Sequence, residues 1–179
     1  MFAQKNTAPA HRPGTGQFSG QNHSQILRIL QTYKRIAMVG LSANSNRPSY
    51  FAATYLRDYG YQIVPVTPQY PEVMGQKAYP TLQAVVDAGI PLEVVDIFRK
   101  EDEVPALVNQ AIRLGAKVIW MQLGVIHLGA RDAAQAAGLE VVMDRCMKIE
   151  HARFHGGLSF AGIRTDVLSA RKARITLKP

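Results

Sequence analysis

The chain has 179 residues, 47% of them hydrophobic, which suits one domain around a single core. No apolar run approaches the ~18 residues needed to span a bilayer, and the N-terminal stretch lacks the apolar segment of a secretory leader, so no membrane association is expected. The formal charge of +8 sits at the chain's ends, because residues 58–150 hold eight basic and twelve acidic residues; that argues against a nucleic-acid face and leaves a small phosphorylated molecule as the anionic partner.

Residues 1–22 are rich in Ala, Gln, Asn, Gly, Ser, Thr and Pro, with no apolar period. Such a segment cannot bury enough surface to offset its ordering entropy, so disorder is expected there. The domain proper is expected over 23–150. Ser24 to Tyr33 reads as a helix, with Ile26, Leu27 and Leu30 on one side. Five short apolar runs follow: Ile36 to Val39, Ile63 to Val66, Val94 to Phe98, Val118 to Met121 and Val141 to Met143. Runs of this kind suit strands buried on both faces of a parallel sheet.

Helical patterns lie between them. Tyr50 to Tyr59 stops at Gly60, Thr81 to Ala88 at Gly89, Glu101 to Leu114 at Gly115, and Arg131 to Ala137 at Gly138. Early acids, as in Glu101 to Glu103, and a closing glycine are expected helix punctuation. The alternation predicts an α/β fold, a doubly wound, Rossmann-like parallel sheet of five strands in the order 3-2-1-4-5. Ligands would bind at the strands' carboxyl ends, near the switch between the first and fourth strands.

After Glu150 the alternation stops. Residues 151–179 form a basic C-terminal extension with six Lys/Arg against one acid, Asp166. Its apolar residues, among them Leu158, Phe160 and Ile163, suit docking on the domain or on a second copy of the chain, as in a homo-oligomer.

The chemistry concentrates where the first strand runs into Gly40-Leu-Ser-Ala-Asn-Ser-Asn-Arg-Pro-Ser49 and then a helix. Gly40 permits a sharp turn and a close backbone approach to a ligand, and Pro48 suits the first helical turn. The free N–H groups of that turn, with the positive end of the helix dipole, favour phosphate. Ser42, Ser45 and Ser49 add hydroxyls, and Arg47 adds a forked cation. The loop is neither G-x-G-x-x-G nor a Walker loop. A nicotinamide site also wants a carboxylate at the end of the second strand, to hold the ribose hydroxyls. Here that strand ends Val66-Thr67-Pro68, and the next carboxylate is Glu72.

Val39-Gly-Leu-Ser, Arg47-Pro-Ser-Tyr, Pro65-Val-Thr-Pro, Asp96-Ile-Phe-Arg, Gly115-Ala-Lys-Val-Ile-Trp-Met-Gln-Leu-Gly124 and Ala137-Gly-Leu-Glu-Val-Val-Met-Asp-Arg-Cys146 together carry a family signature. Over about residues 24–151 the chain resembles the small stand-alone CoA-binding proteins, which are similar to the CoA-binding domain of succinyl-CoA synthetase alpha subunits. Thr67 departs from the Asn typical of the small proteins, and Thr81 to Pro91 is longer than usual. The resemblance implies coenzyme A or an acyl-CoA as cofactor, with Gly40, Ser42, Arg47 and Ser49 at the pyrophosphate. Val66, Thr67 and Pro68 would border the adenosine. Phe98, Arg99 and Lys100 would meet adenosine or its phosphate, and Met121, Gln122 and Leu123 the pantetheine arm.

Other reactive residues have plain readings. Trp120 sits in an apolar strand and reads as core. Cys146 follows the fifth strand and reads as an inert buried thiol, although that strand's end opens toward the cleft. As the only cysteine it cannot form an internal disulfide, which fits a reducing, cytoplasmic setting. Cys146, His151 and His155 offer three metal ligands without a fourth, so no metal is expected. His127 reads as a loop residue. No nucleophile–base pair or paired carboxylates stand out, so the reading is a non-catalytic CoA module. A nicotinamide-binding redox sensor and an acyl-CoA enzyme completed by a partner subunit are the alternatives.

Overall fold

The computed structural model describes residues 23–155. It is a three-layer α/β/α domain. Helix α1 (His23–Thr32) leads into β1 (Arg35–Val39), then α2 (Pro48–Asp58) and β2 (Gln62–Val66). A two-stranded hairpin, β3 (Glu72–Val73) and β4 (Gln76–Lys77), precedes α3 (Leu82–Asp87) and β5 (Val94–Ile97). A 3-10 turn at Glu101–Glu103 runs into α4 (Val104–Arg113), followed by β6 (Val118–Met121), α5 (Leu128–Ala136), β7 (Glu140–Val142) and α6 (Met147–His155). No described helix is long and apolar enough to cross a membrane.

All pairings in the main sheet are parallel, and its order is β2-β1-β5-β6-β7. The doubly wound parallel sheet of five strands is therefore present, but the expected order 3-2-1-4-5 is corrected. Counted over the five main strands, the order is 2-1-3-4-5: the third strand, β5, lies beside β1 rather than outside β2. Pro65 explains why β2 must be an edge. It has no N–H to donate, and a central strand needs both edges of its ladder. On its outer side β2 is bridged by Tyr79, whose N–H donates to Pro65 O at 2.9 Å while its carbonyl accepts from Thr67 N at 2.8 Å.

Strand alternation divides the core in two. Ile36, Met38, Val94, Val118 and Trp120 face α1, α2 and α6, packing with Ile26, Leu30, Leu56 and Met147. Ala37, Val39, Val95, Ile97, Ile119 and Met121 face α3, α4 and α5, packing with Leu82, Val85, Val108 and Ala134. Such two-sided burial is why these strands read as continuous apolar runs. Trp120 is fully buried, as expected, and its indole N–H donates to Arg145 O at 2.7 Å.

The helix α6 and the β3–β4 hairpin are additions to the sequence reading, and α6 runs across the expected boundary at 150. The expectations for 1–22 and for the chain from 156 onward lie outside the described residues.

The end of β1 is the tightest point. Gly40 has φ +85°, and a Cβ there would lie 2.6 Å from Phe98 O and 2.8 Å from Arg99 Cδ. Gly138 has nearly the same φ, +83°, with open space around it. Gly138→Ala should cost about 1–2 kcal/mol for the left-handed backbone alone. Gly40→Ala adds an overpacking cost of about 1–3 kcal/mol. Urea unfolding should rank Gly40→Ala as clearly the less stable; equal midpoints would mean that the contact with Phe98 yields freely.

Candidate functional site

The turn from β1 to α2 is braced by its own polar groups. Ser42 N donates to Ser49 Oγ at 3.2 Å, Asn44 N to Ser42 Oγ at 3.1 Å, and Asn46 N to Asn44 Oδ1 at 2.9 Å. The hydroxyls of Ser42 and Ser49 thus already accept from the loop's backbone, fixing its shape. The α2 N-terminus carries no side-chain cap: Arg47 is extended at the N-cap position, and Pro48 opens the helix. Pro48 has no N–H, and the Tyr50 and Phe51 N–H groups donate to Arg47 O at 3.1 and 3.3 Å, so the uncapped first turn offers a ligand the Ser49 N–H and the positive end of the dipole. Arg47 is exposed, and among the described residues no carboxylate pairs with it.

This turn forms one wall of a cleft of about 510 Å³ across the carboxyl ends of the sheet. Gly40, Ser42, Arg47 and Ser49 line it, as do Phe98, Arg99, Gln122 and Leu123. The remaining expected residues do not: Val66, Thr67 and Met121 are buried in the sheet or just beyond it, and Pro68 and Lys100 are exposed away from the cleft. With β5 beside β1, the switch point lies between those two strands rather than between the first and fourth, and Phe98 and Arg99 close directly on Gly40. The close approach that Gly40 permits is therefore to the Phe98 carbonyl of the protein itself.

The chain after β2 enters the cleft just past the expected residues, through Gln69 and Tyr70, and Asn44 completes the loop's contribution. At the other end stand Val125, Cys146 and Lys148. Lys148 was missed because α6 shows no apolar period: Met147, Ile149, Glu150 and His151 are all buried. Among the described residues the lining holds three cations, Arg47, Arg99 and Lys148, and no carboxylate. Arg99 is partly occupied, pairing with Glu103 Oε2 at 2.6 Å.

The floor has a different character. Asp96 on β5 is completely buried, and Gln122 Nε2 donates to both of its carboxylate oxygens, at 2.8 and 3.0 Å. Burial pushes the Asp96 carboxyl up to about 8, with the Gln122 amide and the Ile97 N–H opposing that rise. Just after β7, Asp144 takes a left-handed φ of 57° and accepts from Gly124 N at 2.7 Å, which pins the Gln122–Val125 turn and holds Leu123 half exposed. Cys146 is buried, and burial raises its thiol above the ordinary range; Asp96 adds to the rise, and Lys148 and backbone N–H groups reduce it. Such a thiol stays protonated near neutrality, which disfavours attack on a ligand's sulfur.

The histidines lie elsewhere. His151 packs among Tyr55, Tyr59 and Tyr61, its Nδ1 3.1 Å from the Tyr55 hydroxyl, and burial lowers its pKa to about 4. His127 caps α5, accepting from Ala130 N at 3.0 Å. Among the described residues no group of three His, Cys, Asp or Glu could hold a metal ion.

A family model described as a CoA binding domain matches residues 34–152. The chain belongs to the CoA-binding domain family. Within the same likeness, the uncharacterized protein YneT of Bacillus subtilis (strain 168) is 35% identical over 129 residues, covering 72% of this chain and 93% of YneT. The structure of a hypothetical protein from Pyrococcus horikoshii OT3 is 39% identical, with a TM-score of 0.72, covering 83% of this chain and all of that one. An acetate–CoA ligase (ADP-forming) of Methanocaldococcus jannaschii is 21% identical over 145 residues, but the match spans only 20% of that longer protein. The Rossmann-like fold and the link to CoA thus stand together, and the match covers nearly the whole described domain.

The buried Asp96 makes stability depend on pH. Its folded pKa of about 8 exceeds the unfolded value of 3.8, so between those values the folded state holds a proton that the unfolded state has lost. The carboxyl's contribution is complete below that window and disappears as pH rises through it. Relative to Asp96→Asn, the wild type should therefore lose unfolding midpoint steadily from about pH 5 to about pH 8.5. Parallel profiles for the two proteins would place the Asp96 titration elsewhere.

Proposed function

We propose that the protein binds coenzyme A or an acyl-CoA in this cleft without transforming it, as a sensing or carrier module. The carrying observation is the charge of the cleft. Residues 58–150 are net acidic, yet they contribute Arg99 and Lys148 to the lining and no carboxylate, and Arg47 joins them from the loop after β1. Low-dielectric walls lined by one sign of charge concentrate an oppositely charged ligand. The uncapped α2 N-terminus and Arg47 suit the pyrophosphate, with Ser42 and Ser49 shaping the loop beneath it. Gln69 and Tyr70 suit the adenosine side. Arg99, which must share its charge with Glu103, suits the ribose phosphate.

The same lining argues against a nicotinamide dinucleotide. The segment after β2 offers Gln69 and Tyr70 where a ribose-binding carboxylate would be needed, and Glu72 is exposed on β3. The likeness to part of an acetate–CoA ligase favours a second reading, in which a partner chain supplies catalytic groups to this CoA site.

Calorimetry should show CoA binding at micromolar or tighter dissociation constants, about −8 kcal/mol or better. Tighter binding of NADH at the same salt would overturn the assignment. Arg47→Ala should weaken CoA by about 1.5–3 kcal/mol, the range for a hydrogen bond to a charged group. An unchanged dissociation constant in a folded Arg47→Ala protein would remove Arg47 from the site.

A further inference from the structure

The strand order assigns directions along the cleft. Gln69 and Tyr70 follow β2, the phosphate turn follows β1, Phe98 and Arg99 follow β5, Gln122 follows β6, and Cys146 follows β7. A CoA with its pyrophosphate on α2 and its adenosine toward β2 directs its sulfur end toward β6 and β7. Gln122 lies at that end, two strand spacings or about 10 Å from β1.

Gln122 is poised between two environments. Its side chain is 4% exposed and lines the cleft, while its Nε2 is engaged by Asp96 below. Its Oε1 has no hydrogen-bond partner among the described residues. An amide that donates to both oxygens of a carboxylate matches the ionised acid, which only accepts. A protonated Asp96 carries an O–H that needs an acceptor. In this pair the acceptor is Gln122 Oε1, reached by turning the carboxamide over. The turned carboxamide then presents N–H rather than C=O to the cleft.

We propose that the proton on Asp96 sets which way Gln122 faces, and that this floor thereby distinguishes a thioester from a ligand without an acyl carbonyl. With Asp96 neutral, Gln122 Nε2 offers a donor to the thioester oxygen of an acyl-CoA. With Asp96 ionised, Oε1 faces that oxygen as a second acceptor, and the hydrogen bond is lost. No covalent bond changes; the proton passes between Asp96 and solvent, and the amide rotates. The fold isolates the device well. In the sheet Asp96 has Met38 and Trp120 as register neighbours, neither titratable. The titratable neighbour is Cys146, itself held protonated by burial, and the cations lining the surrounding cleft are Arg47, Arg99 and Lys148.

The inference rests on the CoA reading, and the test separates the two. Acetyl-CoA and S-ethyl-CoA, the thioether lacking only the carbonyl oxygen, would be titrated into the full chain from about pH 6 to about pH 9, across the Asp96 pKa of about 8. Phosphate ionisation is common to both ligands and cancels in the ratio of their affinities. The preference for acetyl-CoA should fall by roughly two- to tenfold as pH rises, the worth of one neutral hydrogen bond. Asp96→Asn should abolish the slope. Gln122→Met, which keeps the buried acid and removes the amide, should abolish it too, and serves if the Asn variant does not fold. A constant ratio in the wild type, or a slope that survives in either folded variant, would overturn the inference while leaving CoA binding intact. Failure of the wild type to bind either ligand at any pH would overturn the CoA reading and this inference with it.

Discussion

The contact between the end of β1 and the end of β5 organises everything above it. Gly40 turns out of the sheet with its Cα side against the Phe98 carbonyl, closer than any side chain would allow. Because the two strands are neighbours, the crossovers diverge there, and a crevice opens where the chain leaves each strand. The α2 N-terminus is delivered to one lip of that crevice and Arg99 to the other. A larger residue at 40 would separate the lips, so the ligand geometry and the packing of the sheet are set by the same missing Cβ.

The cleft's electrostatics follow from segregation rather than from net charge. The acids of the central region lie on the outer ends of helices, in the Glu101–Glu103 turn, or beneath the floor. Three acids are buried, Asp96, Asp144 and Glu150; Asp96, beneath the floor, is nearly silent at neutrality because burial pushes its carboxyl up to about 8. An ionised carboxylate at that place would oppose an anionic ligand. Keeping it protonated allows a polar floor without a repulsive field.

Much of this was legible in the sequence. β6 spans the expected Val118 to Met121, and Gly40, Ser42, Arg47 and Ser49 of the expected loop line the cleft while Ser45 does not. Buried parallel strands and strand–turn–helix segments have local signatures. Strand order does not, since it depends on which edge a crossover reaches. One local clue was present in Pro65, whose missing donor is incompatible with the central position that the order 3-2-1-4-5 gave the second strand. That misplacement moved the switch point; Val66, Thr67 and Pro68, which the family resemblance implies, stand outside the cleft lining, where Gln69 and Tyr70 stand instead. Lys148 was hidden for another reason. Helix α6 buries Glu150 and His151 alongside Met147 and Ile149, so its sequence shows no apolar stripe.

That helix also explains how the two walls of the cleft are held at a fixed separation. α6 packs against both α1 and α2. Its Lys148 lines the cleft, and its His151 meets Tyr55 of α2, the helix whose first turn forms one wall of that cleft. Burying Glu150 in this helix is costly, and the Arg153 guanidinium at 3.0 Å and Arg145 at 3.6 Å offset part of that cost. Arg145 is in turn fixed through its carbonyl, which accepts from the Trp120 indole at the centre of the sheet. A continuous chain of contacts therefore runs from β6 through Arg145 and Glu150 to α6, and from α6 through His151 to α2. The polar residues that deprive α6 of a readable pattern are the ones that tie it to the sheet and to α2.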